Sequence, residues 1–167
     1  MNILGEKFIE TISRLNFLEG VFAERVAAFA SSPVMGNDLT DEELEGVCTL
    51  LNKNTNKISI WGEEYLVLTK EESISKCREY IFNSLKDISP EVLSYFLGIG
   101  SDVVSLIQET VDGNESIMKK FLEKGNLDNF VETTINTYGR GYFVATHNKV
   151  EEIQEINNRK YFIYQIK

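Results

Sequence analysis

The chain has 167 residues, 43% of them hydrophobic and 26% charged, so it holds enough apolar side chains for a packed core and does not read as a disordered tail. Its 17 basic and 26 acidic residues leave a net charge of −9, a field that repels the phosphate backbone and disfavours direct binding of DNA or RNA. No apolar run reaches the roughly 18 residues of a membrane span, the start Met1-Asn2-Ile3-Leu4 lacks the pattern of a signal peptide, and two cysteines, Cys48 and Cys77, cannot frame a disulfide scaffold; a cytoplasmic, membrane-free location is expected.

From about residue 5 to 30, Phe8, Ile12, Leu15, Phe22, Val26 and Phe29 recur at spacings of four and three, which predicts a long amphipathic helix. Such a stripe must be covered, by the rest of the chain or by a second copy, so a homodimer through residues 5–30 is one expectation. Pro33 and Gly36 break the helix. The domain reading is therefore 1–31 for the helix and 38–167 for a single α+β domain.

Thr40-Asp41-Glu42-Glu43 reads as a capping box, opening a short helix whose apolar face includes Cys48. Ile58 to Trp61 alternates at period two and is separated by Gly62-Glu63 from Tyr65 to Leu68, the pattern of a tight hairpin. Thr69-Lys70-Glu71-Glu72 is a second capping box, and Ile74, Cys77, Ile81 and Leu85 follow at helical spacing with Cys77 facing inward. Pro90 suits the first turn of the next helix, Gly98 to Asp102 divides it from another, and two short helices are expected over 117–124 and 127–137. Beyond Gly139-Arg140-Gly141, residues 142–147 read as a strand, Val150, Ile153 and Ile156 fit a helical turn or an irregular crossover, and 160–166 has the strongest strand propensity in the chain. The sum is an α+β fold with a small antiparallel sheet of about four strands covered by several helices.

Few side chains carry chemistry. His147 is the only histidine, which removes His-pair metal sites, and both cysteines sit on apolar helix faces where a thiol is inert. Asn52, Asn54, Asn56 and Glu63 imitate a calcium loop, but the first ligand is not Asp and Lys57 stands where the turn needs Gly. Neither a metal nor a cofactor is expected, and the chain reads as non-enzymatic. The informative feature is charge: between Asp38 and Glu72, nine acids face three lysines, so this segment holds −6 of the −9. Asp41, Glu42, Glu43, Glu45, Glu63, Glu64, Glu71 and Glu72 are the candidate contact residues for a protein with a basic groove, since spaced carboxylates can imitate a row of phosphates. An alternative ligand-binding or enzymatic site would use Arg140, Tyr142 and His147 on the expected C-terminal strand.

Glu64-Tyr65-Leu66-Val67-Leu68-Thr69 with Glu71-Glu72, then Glu79-Tyr80-Ile81, Gly139-Arg140-Gly141 and the ending Tyr161-Phe162-Ile163-Tyr164 resemble a group of small uncharacterised bacteriophage proteins. Tyr142, Thr146-His147-Asn148 and Gln165 depart from that group's pattern, so of any polar site there only Arg140 would survive. The resemblance implies a setting in a host cytoplasm and no mechanism. Within that setting the leading expectation is an inhibitor of a host nucleic-acid-handling protein, such as an anti-restriction or anti-CRISPR protein. A small accessory or structural phage protein dimerising through its first helix is the other expectation.

Overall fold

The computed structural model describes residues 21–32, 56–60 and 62–167. Asp41, Glu42, Glu43 and Glu45, the Thr40 capping box, Cys48 and the expected helix before Val21 lie outside the described residues. Those described form seven α-helices and a four-stranded antiparallel sheet, so the α+β class holds. In chain order they are α1 (Val21–Ala30), β1 (Lys57–Ile60), β2 (Glu63–Leu68), α2 (Lys70–Asn83), a 3-10 turn (Leu85–Asp87), α3 (Pro90–Leu97), α4 (Ser101–Gln108), α5 (Gly113–Lys124), α6 (Leu127–Tyr138), α7 (Arg140–Val144), β3 (Glu152–Ile156) and β4 (Arg159–Gln165). They divide into a sheet unit, made of residues up to Ser73 with Val144–Lys167, and a helical unit, Ile74–Phe143.

The sheet unit is built from two hairpins joined side by side in the order β1-β2-β4-β3. Ile60 pairs with Glu63 at the turn of the first, and Ile156 pairs with Arg159 across Asn157-Asn158 in the second. Asn157 and Asn158 both adopt positive φ, 52° and 63°, which is the geometry a two-residue hairpin needs to match the twist of its strands. Residues paired across strands share a face, so Ile58, Tyr65, Val67 and Ile163 point one way while Leu68, Phe162 and Tyr164 point the other. Residues 161–164 of β4 are all buried, so both faces of this inner strand are covered.

Helix α1 covers the first of these faces. The Phe29 ring lies 5.1 Å from that of Tyr65, and Glu24 accepts from the Tyr161 hydroxyl and, at 3.3 Å each, from Arg159 Nη1 and Asn157 Nδ2. Burial first, and then the Glu24 carboxylate, push the Tyr161 phenol up to about 12. On the opposite face the buried Ser73 hydroxyl meets Tyr164 Oη at 2.5 Å, and Tyr164 donates to Glu151 at 2.6 Å, so a phenol in the core is satisfied twice.

The helical unit has its own core of Leu93, Leu97, Val104, Ile117, Phe121 and Phe130. Phe121 and Phe130 stack at 4.6 Å, and Phe96 meets Phe130 edge-on at 5.1 Å. Polar side chains fasten the connections: Gln108 Nε2 donates to the carbonyls of Leu85 and Ile88 at 3.1 and 2.6 Å, and Asn114 accepts from the Lys86 amide and donates to the Asn83 carbonyl at 2.7 Å each. Cys77 is fully buried, as its place on the apolar face of α2 predicts.

Two expectations about the C-terminal region fail. Residues 142–147 do not form a strand: Arg140–Val144 is a short helix, followed by a turn. Gly139 at φ 79° and ψ 154°, a conformation open only to glycine, stops α6 and restarts the chain, so the strand propensity of Tyr142-Phe143-Val144 is overridden by burial of Phe143 and Val144 against their neighbours. Nor is the stretch around Ile153 a helical turn or a crossover. It is strand β3, in which Ile153 is half-exposed on the sheet edge and Glu155 pairs across to Lys160, leaving a charged edge.

Candidate functional site

The described part of the acidic segment starts with Glu63 and Glu64, adjacent residues of β2 that project from opposite faces of the sheet. Glu63 accepts a hydrogen bond from the Tyr65 hydroxyl on its own face, and that carboxylate adds to burial in raising the Tyr65 phenol. Glu64 is paired with Lys57 Nζ at 3.1 Å across the hairpin. Glu71 and Glu72 lie beyond the far end of β2, at the start of α2, so the strand separates the two acidic pairs by roughly 17–20 Å. Glu71 is exposed.

Glu72 is used within the fold. It closes the capping box with Thr69, accepting from the Thr69 amide at 2.8 Å while the Glu72 amide reaches Thr69 Oγ1 at 3.4 Å. Arg25 Nη2 meets Glu72 Oε1 at 2.7 Å, and Asn56 Nδ2 meets the same oxygen at 3.2 Å. Burial pushes the Glu72 carboxyl up, but the hydrogen bonds from Arg25 and the Thr69 amide, together with the Arg25 charge, outweigh it and hold the group below its ordinary range. Of the four described acids, Glu64 and Glu72 are therefore paired with cations of the fold, while β2 separates the pair at its start from the pair beyond its end.

Arg140 and Tyr142 lie two apart on α7 in the helical unit, a spacing that puts them on different sides of a helix. His147 belongs to the sheet unit, exposed in the turn after α7, where its amide donates to the Gln165 carbonyl at 3.3 Å. Among the described residues no group of three or more His, Cys, Asp or Glu could hold a metal ion. None of the described helices is by itself long and apolar enough to cross a membrane.

A second acidic stretch lies in the helical unit, bounded in the chain by Lys86 and by Lys119-Lys120. Residues 87–118 contain Asp87, Glu91, Asp102, Glu109, Asp112 and Glu115 and no lysine, arginine or histidine, and all six carboxylates are exposed. The Ser89 hydroxyl donates to Glu91 at 2.5 Å and holds that carboxyl below its usual range. Large apolar side chains stand between the acids: Tyr95 on α3 is 82% exposed, Leu106 on α4 is 66% exposed, and Val111 in the turn after α4 is exposed fully. Helices α3 and α4 turn by 114° from one to the next and both pack on α5, which holds these side chains outward on a rigid support. The signal was available in the sequence as a long run without a base, but a window centred on the strongest cluster of acids passes over it.

Wholly within the helical unit is a cleft of about 260 Å³ between the end of α2, the 3-10 turn, α6 and α7. Its walls include Tyr80, Tyr138 and Tyr142, each about half-exposed, set around the buried Phe143. Phe143 meets Tyr80 at 5.7 Å, Tyr142 edge-on at 5.1 Å and Tyr138 edge-on at 6.1 Å, while Tyr138 and Tyr142 lie 5.2 Å apart with their planes 30° from parallel. Of the three residues expected in an alternative pocket, Tyr142 lines this cleft, whereas Arg140 and His147 are not on its walls.

Compared with protein-family models, with curated proteins and with solved structures, the chain finds no match.

Proposed function

We propose that this chain is a non-catalytic binding protein that docks on a basic, nucleic-acid-handling protein of a host cell and blocks its basic surface. The observation that carries the reading is the stretch 87–118, six exposed carboxylates with no base among them, interleaved with Tyr95, Leu106 and Val111. Charge of one sign steers an oppositely charged partner and fixes its orientation, while exposed aromatic and aliphatic anchors supply the surface whose burial holds it. An acidic face without apolar anchors would serve solubility alone. The host setting comes from the resemblance to small bacteriophage proteins. We place the contact on α3, α4 and the turn after them because that stretch combines exposed acids with exposed apolar side chains; of the acids expected in the 38–72 segment, Asp41, Glu42, Glu43 and Glu45 lie outside the described residues, and Glu64 and Glu72 are paired within the fold.

Affinity capture from a host lysate tests this reading. The retained protein is expected to be strongly basic, to be released by salt, and to be competed away by duplex DNA, since both ligands occupy one groove. A retained protein that is neutral or acidic, or whose capture ignores both salt and DNA, would contradict it.

A further inference from the structure

We propose that the cleft between α2, α6 and α7 binds a small organic ammonium ion. The inference is independent of partner docking and rests on the walls of the cleft. Three tyrosine rings, from Tyr80, Tyr138 and Tyr142, are presented with about half of each side chain open, at 40, 57 and 46% exposure. The buried ring of Phe143 backs all three and fixes their spread. Ring faces carry negative potential, so a set of them around a cavity attracts a cation, and a substituted ammonium also gains from contact between its alkyl groups and the rings.

The polar atoms on the wall favour the same ligand. Among the described residues, Asp87 is the only charged one lining the cleft. The hydroxyl of Thr134 donates to the Phe130 carbonyl at 2.7 Å and that of Ser89 donates to Glu91 at 2.5 Å, so both offer the cleft lone pairs and no proton. Three aromatic rings with one carboxylate and no cationic side chain on the wall suit a cation better than an anion. The volume of about 260 Å³ is below the ~300–1,000 Å³ of sites for drug-sized molecules, which limits the ligand to a small one.

The test compares choline with its uncharged isostere 3,3-dimethylbutan-1-ol on the full chain, by calorimetry and by shifts of the tyrosine ring protons. Choline is expected to bind saturably in the millimolar range or tighter, and at least about fivefold better than the isostere. Tyr142→Ala, Tyr138→Ala and Asp87→Asn should each weaken choline by about the same factor, while Tyr142→Phe, which keeps the ring face, retains most of the binding. Equal binding of choline and the isostere would overturn the proposal, since the cleft would then be an apolar cavity indifferent to charge. Absence of saturable choline binding would overturn it as well. The choline and isostere pair is measured on the unaltered chain, so a tyrosine variant that fails to fold does not remove the decision.

Discussion

Arg25→Ala is expected to destabilise the sheet unit by about 2–4 kcal/mol, the loss typical of breaking a buried ion pair, reduced for the partial exposure of its partner. Arg25 is 6% exposed on α1, donates to the Val67 carbonyl at 2.5 Å and to Glu72 at 2.7 Å, and places its guanidinium carbon 6.0 Å from the centre of the Tyr161 ring. Removing it takes the guanidinium donor from a buried carbonyl and the positive partner from a half-buried carboxylate, and opens a gap beside Tyr161. Arg25→Lys should recover only part of the loss, because one ammonium cannot span both acceptors as the planar fork does. Adding Glu72→Gln to Arg25→Ala should recover about 1 kcal/mol, since Gln keeps the capping box and removes the stranded charge. Hydrogen exchange of the amides of 161–164 under urea reads this unit by itself. The same pair sets an acid-side dependence. Because the folded Glu72 carboxyl titrates below its ordinary value of 4.5, the pairing contributes fully above that value and is lost as the pH falls through the folded pKa. Glu72→Gln should flatten that decline, and a decline of unchanged size would show that other carboxylates cause it.

Reversing Glu91, Asp102, Glu109 and Glu115 together to lysine is expected to weaken capture of the basic partner on the order of 100-fold, mostly through slower association. All four are exposed, and each lies outside the core of the helical unit, so the fold should persist with an unchanged circular dichroism spectrum. The control reverses Glu63 and Glu71, exposed acids of the 38–72 segment, and should leave capture within a few-fold of the unaltered chain, since neither belongs to the proposed contact. If the control abolishes capture and the fourfold reversal on α3 to α5 does not, the contact lies with the 38–72 segment and the proposed surface is wrong.

Local chemistry carried most of the fold from sequence to structure. The second capping box predicted from Thr69 and Glu72 is present as a reciprocal pair of hydrogen bonds, and the hairpin expected around Gly62 forms with Ile60 opposite Glu63. The placement of Pro90 at the start of α3 and of Gly98 at its end follows from a missing amide and a left-handed φ of 64°. Where tertiary context decides, the letters mislead. Tyr142-Phe143-Val144 has strand propensity and forms a helix, while Glu152 to Ile156 lacks clean alternation and forms a strand because Asn157-Asn158 turns it back onto β4. The fate of Glu72 was hidden for a similar reason: its partner Arg25 is 47 residues away. The cleft was illegible because Tyr80 and Tyr138 come from helices far apart in the chain, and only packing around Phe143 joins them.

A photo-reactive amino acid placed at Tyr95, the most exposed aromatic side chain of α3, tests most directly whether the partner docks on the helical unit. Irradiation in host cells should join this position to a basic protein that also binds nucleic acid. Absence of any cross-link from position 95 while the partner is still captured would contradict docking through α3 and α4.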